Sequence, residues 1–428
     1  MPLTTHMKPA YIITLAALLL STSSCHIGRF FTRNFANITD HQFFPNSDIA
    51  TGEEIWRFAE SKENPLEKMR LTPDKKGKMS LTEYLRDETR TTAFMVIRND
   101  TILYEQYFQG YAQRDISTFF SVSKSITSLM VGIAVDEGLI KDINDPITAY
   151  IPELREADPM FKNLTVRHLL DMRSGLDYKE SYSNPFADMA KLYYGHNQLK
   201  QLSKLGFKYE PGTVHQYQSA STALLGIMVE KVSGMDMGKY LEQKVWQPMG
   251  MEFPAKWSLD DKHNRSAKGY AGVAATARDL AKIGRLYLKG GDWNGQQIIS
   301  ADWVKASVTP NLENGNYQYQ WYGIGNVAQR GGQELVFPDS LSAVAAADTF
   351  RIAHTLVDEK ERSEPATYHI HLATDEFYAQ GILGQILYVD PSSNVIVVRL
   401  GEKWDTGLGL LRKVRGYLEE KSDAEGKR

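Results

Sequence analysis

Two blocks of strand-forming sequence, one towards each end of the chain, constrain its fold more than anything between them. Residues 93–98 (Ala-Phe-Met-Val-Ile-Arg) and 101–108 are rich in β-branched and aromatic side chains and meet at Asn99-Asp100, which predicts a β-hairpin. Residues 385–390 and 394–400 flank Asp390-Pro391-Ser392-Ser393 and predict a second. Between them the spacing turns helical. Residues 166–172 read as a short helix stopped near Ser174-Gly175, 219–232 as one ended by Gly234, and 278–288 as one ended by Gly290-Gly291. The expectation is an α/β (α+β) fold: an antiparallel sheet formed from both termini, flanked by helices, with an inserted mostly helical subdomain over about 139–270. Ser80 and Glu83 announce a helix near 80–90 as a capping box, and a last helix over 407–420 leads into a charged tail, 421–428, expected to fray. Residues 317–322 alternate too little to place their faces, and 326–374 resists assignment beyond a role at the mouth of a cleft.

With 428 residues, 42% hydrophobic and 24% charged, the chain suits one large or two medium globular domains. The boundaries expected are a lead-in or linker over 26–85 and one main domain over 86–420. A net charge of −3 provides no general basic field, so nucleic acid is not an expected partner. The one cysteine, Cys25, excludes an internal disulfide framework. It follows a weakly basic start (His6, Lys8), a short apolar run over 11–20 and the small residues Thr22-Ser23-Ser24. That run is too short for a permanent span and reads as an export signal, residues 1–25. It resembles a bacterial lipoprotein signal, with Thr22 where leucine is usual. A lipidated Cys25 would then anchor an exported, cell-envelope or periplasmic protein to a membrane.

The chemistry centres on Ser121-Val122-Ser123-Lys124. Ile126, Leu129, Met130, Ile133 and Ala134 recur at helical spacing, which predicts a helix with one buried face and Gly138 as its stop. Ser121 falls at its first turn, among free backbone N–H groups and at the positive end of the helix dipole. Lys124 lies about one turn further on the same face, so its amine can reach the serine hydroxyl: a nucleophile and a neighbouring base from four residues. The pattern has only two fixed letters, and about one chance match is expected in a chain of this length.

The wider sequence resembles the serine β-lactamase and penicillin-binding-protein superfamily, in its class C β-lactamase-like group of esterases, peptidases and amidases. Besides Ser121-x-x-Lys124, the matching motifs include Asp136-Glu137-Gly138-Leu139-Ile140 through Asp145-Pro146, Tyr150-Ile151-Pro152-Glu153, Val166-Arg167-His168-Leu169-Leu170 with Ser174-Gly175-Leu176, and Gly272-Val273-Ala274-Ala275-Thr276. The family's Tyr-x-Asn/Ser motif is met by Tyr217-Gln218-Ser219. The resemblance implies that Tyr217 faces Ser121 as a second base, its phenol pKa lowered by the adjacent Lys124 ammonium, and that Ser219 orients Lys124 by a hydrogen bond. The third motif, usually Lys-Thr-Gly or His-x-Gly, aligns with Ala379-Gln380-Gly381. The cation that holds a substrate carboxylate is missing, while Gly381 still admits substrate backbone and the N–H of Ile382 can pair with that of Ser121 as an oxyanion hole. Tyr378-Ala379-Gln380-Gly381-Ile382-Leu383-Gly384 and Glu180-Ser181-Tyr182 are more similar to the nylon-oligomer (aminohexanoate-dimer) hydrolase and esterase branch. That branch nominates Gln380, Gly381 and Tyr182 as cleft residues and speaks against efficient β-lactam hydrolysis.

These readings converge on an exported serine hydrolase. Ser121 forms an acyl-enzyme from a small-molecule or peptide-like ester or amide, with Lys124 and Tyr217 as general base and acid. The alternatives are a D-Ala-D-Ala peptidase or penicillin-binding protein, and a catalytically silent cell-envelope binding protein. No metal or organic cofactor is expected: His369 and His371 share a strand face but lack a third ligand at recognisable spacing. His168 with Asp171 suggests a Ser-His-Asp arrangement, but its place in a short helix favours packing, and no Gly-x-Ser-x-Gly elbow is present.

Overall fold

The computed structural model of the chain describes residues 26–33, 36–73, 77–330, 333–347, 354–358 and 368–426. The expected export signal and the lipidation candidate Cys25 lie outside them. The elements that place the site are, in chain order, α1 (His26–Arg33), β1 (Thr91–Arg98), β2 (Thr101–Tyr107), α2 (Val122–Asp136), α3 (Asp188–Tyr194), α4 (Ser219–Ser233), α5 (Ala277–Leu288), β3 (Trp321–Val327), β4 (Tyr368–Gly381), β5 (Gln385–Asp390), β6 (Val395–Gly401) and α6 (Leu408–Gly426).

Both hairpins form as expected. Asn99 and Asp100 take left-handed φ of 50° and 59°, a two-residue turn whose twist matches the strands it joins. β6 then pairs antiparallel with β1, Val397 opposite Val96, so the two ends of the chain close into one sheet in the order β3-β4-β5-β6-β1-β2. Its central strands β5, β6 and β1 are buried on both faces. Leu387, Val389, Ile396 and Val398 meet the side that carries α2 and α5, whereas Ile386, Tyr388, Val395 and Val397 pack under Leu410, Leu411 and Val414 of α6. Cover on both sides is why β5 and β6 read as nearly unbroken apolar runs rather than alternating ones. Helices and loops fill the span between α2 and the strand Ala255–Ser258.

Several expectations need correction. α2 is not half-buried: every residue from Val122 to Ala134 is buried, polar ones included. Two of its hydroxyls find partners, Ser125 Oγ donating to Gln320 O (2.7 Å) and Thr127 Oγ1 to Gly269 O (2.8 Å), whereas Ser128 Oγ has none among the described residues. The capping box at Ser80 is present, but its α-helix covers only Leu81–Glu83 before passing into a π turn over Tyr84–Glu88. Residues 26–85 are more than a linker. α1 packs on α3, Asn46–Ile49 pairs with Ala255–Ser258, and Ala59–Glu60 adds to β2 at the sheet edge. Residues 317–322 are a tight hairpin, its turn made by Tyr319 and Gln320 with φ of 44° and 67°; neither residue advertises a left-handed turn. The 326–374 stretch supplies Val336–Phe337 and His354–Asp358, which pair with β4. α6 runs on to Gly426, through the tail expected to fray. No helix among the described residues is long and apolar enough to cross a membrane.

Candidate active site

Ser121 is the N-cap of α2, and a small second sheet holds it in place. Ser117–Thr118 pairs with Val273–Ala275, Phe119 N–H donates to Val273 O (2.8 Å), and Val273 N–H donates to Ser123 Oγ (3.0 Å). Phe120, immediately before the serine, has φ of +49°, an unfavourable conformation for a bulky residue that the packing around it must enforce. The chain therefore turns sharply into α2 with Ser121 at the turn.

Lys124 lies fully buried, 2.9 Å from Ser121 Oγ and donating to Tyr270 O at 3.1 Å. Burial lowers its pKa to about 8, opposed by the Glu180 carboxylate. An amine so placed is neutral often enough near neutral pH to accept the serine proton.

Tyr217 faces Ser121 from the loop before α4, and its hydroxyl interacts with those of Ser121 and Tyr322. The expected lowering of its pKa does not occur. Burial dominates and pushes it up, the Glu180 charge adds to that, and the Ser121 and Tyr322 bonds only partly offset it. The cause is the enclosure of the phenol; Lys124 Nζ lies over the ring face, 4.9 Å from its centroid. Tyr217 is thus a protonated phenol suited to passing or donating a proton. Tyr322, on β3 opposite Tyr378 of β4, stacks on that ring at 5.0 Å and delivers its hydroxyl to Tyr217.

The bond expected from Ser219 to Lys124 is replaced by bonds to Glu180. Ser219 N–H and Oγ each donate to that carboxylate at 2.7 Å, and Tyr182 Oη donates to it at 2.7 Å. Glu180 therefore joins the tip of α4 to the Tyr182 loop. The sequence pattern contained Glu180, in Glu180-Ser181-Tyr182, but gave it no role; Tyr322 carried no signal at all.

Across the cleft, β4 delivers Gly381. A Cβ there would come within 2.3 Å of Phe119 O and 3.2 Å of Ser121 N, so only glycine lets the strand approach this closely. The next residue, Ile382, lines the same cavity as Ser121. The turn that carries it is pinned from below: Arg399, buried in the sheet, donates to Gly384 O (2.8 Å) and Thr91 Oγ1 (3.0 Å) and pairs with Asp405 (2.5 Å). Ala379 is buried with Phe377 and Leu387, with no cation in its place. Strand alternation turns Gln380 to the face opposite Gly381, and it does not line the cavity. His168 caps its own helix with Thr165, its N–H donating to Thr165 Oγ1 (3.2 Å), and Asp171 accepts from Tyr319 N–H (3.3 Å), so neither addresses Ser121. No group of three or more potential metal ligands forms among the described residues.

A fully buried lysine lies against a helix-capping serine, with the Tyr217 hydroxyl and a glycine strand facing the same serine. The Beta-lactamase family model matches residues 80–412, more than three quarters of the sequence. The chain belongs to the beta-lactamase family. Within it, the chain is 32% identical over 263 residues to the 6-aminohexanoate-dimer hydrolase of Paenarthrobacter ureafaciens, a match covering 56% of this chain and 66% of that protein. It is 24% identical over 229 residues to a provisionally assigned D-alanyl-D-alanine carboxypeptidase of Escherichia coli K12, covering 43% and 53%. The chain thus spans about half to two thirds of the length of these curated relatives. A solved structure from Bacillus anthracis, provisionally assigned as a 6-aminohexanoate-dimer hydrolase, shares the fold with a TM-score of 0.69 at 22% identity, over 91% of this chain and 94% of that one.

Proposed function

We propose that this beta-lactamase family member is a serine hydrolase that cleaves an ester or amide through an acyl-enzyme on Ser121. The observation that carries the reading is the 2.9 Å contact between Ser121 Oγ and a buried Lys124 whose pKa is lowered to about 8. Neutral Lys124 takes the hydroxyl proton as Oγ attacks the carbonyl carbon. The N–H groups of Ser121 and Ile382 receive the developing oxyanion. As the intermediate collapses, the Tyr217 phenol donates its proton to the leaving alcohol or amine and is reprotonated by the Lys124 ammonium. Water then attacks the acyl-enzyme, gives up a proton along the same path, and Ser121 is released with a carboxylic acid as product. A hydrolase of an amide dimer among the relatives supports this reaction class. The peptidase reading is less favoured, because its substrate ends in a carboxylate and position 379 holds a buried alanine.

The signal-like residues 1–25 support export, with Cys25 lipidated as a membrane anchor. The site is tested with a fluorophosphonate probe. Wild type is expected to label with one equivalent, and Ser121→Ala to remain unlabelled. Labelling of that variant at the wild-type rate would overturn the assignment.

A further inference from the structure

We propose that the cavity beside Ser121 is an acyl pocket for an uncharged, apolar chain of about six to nine carbons, closed by Phe30 of the N-terminal helix. This rests on the acyl-enzyme reading above and specifies its substrate class. The cavity has a volume of about 230 Å³ and includes Ser121, Lys124 and Ile382 in its wall, so a chain attached at Ser121 Oγ enters it directly. An apolar cavity of about 150 Å³ takes up a six-carbon ring, and by proportion this one holds roughly nine carbons.

Apolar and aromatic side chains dominate the wall: Phe30, Phe120, Met189, Tyr194, Ala271 and Leu383. Among the described residues lining it, Lys124 is the only charged one, and its ammonium is committed to Ser121 and Tyr270 O. Glu180, the nearby carboxylate, does not line the cavity and is engaged by Ser219 and Tyr182. A terminal carboxylate or ammonium on the acyl chain would therefore be desolvated without a counter-charge, a large penalty. A methyl terminus meets no such penalty.

Phe30 is placed by the packing of α1 on α3. Phe30 meets the Tyr194 ring edge-to-face at 5.6 Å, and Arg29 Nη1 donates to Tyr194 O at 3.2 Å. The segment that follows the signal-like region thus forms one end of the pocket, and its side chain sets how long an acyl group fits.

The experiment is a series of p-nitrophenyl esters from acetate to dodecanoate, with 6-aminohexanoate and the adipate half-ester as charged six-carbon probes, assayed on the full chain. Active sites are counted beforehand with a small ethyl fluorophosphonate. kcat/KM is expected to rise about four-fold per methylene up to six to nine carbons and then fall. The two charged probes should run at least ~100-fold below hexanoate. Phe30→Ala should move the optimum about three carbons longer and Phe30→Trp should shorten it. If either variant fails to fold, the other, with the wild-type series, decides. A protein that neither labels nor turns over would overturn the acyl-enzyme reading and this one with it. A labelled protein with a flat length profile, equal use of the charged probes, or an optimum unmoved in a folded Phe30 variant would overturn the pocket assignment alone.

Discussion

The buried amine of Lys124 makes a quantitative prediction about pH. With a pKa of about 8, Lys124 is roughly 10% neutral at pH 7 and about 90% neutral at pH 9. If the neutral amine accepts the Ser121 proton, kcat/KM for an activated ester rises about nine-fold over that interval along a single ionisation near pH 8. Burial is the larger cause of the shift, and the Glu180 carboxylate works against it. Glu180→Gln should therefore move the midpoint to lower pH, because removing the negative charge favours the neutral amine. The same group leaves a mark on stability. Its folded pKa lies below the ordinary lysine value of 10.5, so between about pH 8 and 10.5 the unfolded chain binds more protons and stability rises with pH. From pH 8 to 10 this amounts to about 2 kcal/mol. It is read as the difference in urea-unfolding free energy between wild type and Lys124→Met, which isolates the lysine from the buried tyrosines that titrate higher. Lys124→Met should also lose phosphonate labelling. A kcat/KM flat from pH 6.5 to 9.5, or a Lys124→Met protein that acylates at the wild-type rate, would refute the role given to the amine.

Tyr217→Phe removes the hydroxyl that faces Ser121 and should lower ester turnover by ~10²–10⁴-fold, measured in stopped or continuous assays, with the fold unchanged by circular dichroism. Tyr322→Phe should cost less, since its hydroxyl acts on Tyr217 rather than on the reacting atoms; a loss as deep as that of Tyr217→Phe would show a direct role. Gly381→Ala forces a methyl to within 2.3 Å of Phe119 O, so it should destabilise the protein by about 1–3 kcal/mol in urea unfolding and abolish detectable turnover. With a buried alanine at 379 and no free cation among the described residues lining the cavity, a fluorescent penicillin should leave no durable label on a gel; a stable adduct would favour the penicillin-binding alternative.

What the sequence by itself determined were the features set by local chemistry. The Asn99-Asp100 hairpin, the glycine-ended helices, the capping box at Ser80 and the Ser121–Lys124 contact follow from side chains a few residues apart, where propensity and helical spacing decide. The pairing of the two ends into one sheet was legible for a related reason: strand blocks separated by a helical middle have few other ways to bury both faces. The tertiary structure alone decided what depends on distant groups meeting in a low-dielectric interior. Nothing near Glu180 in the chain indicates that it will hold Ser219, and nothing in 317–322 signals that Tyr322 will reach Tyr217 through a turn without glycine or asparagine. The upward shift of Tyr217 likewise depends on burial and on the Glu180 charge, neither of which spacing encodes. Phe30 is the furthest case. It lies in a segment with no chemical pattern and becomes part of the cavity wall only because α1 packs on α3, about 160 residues further along the chain.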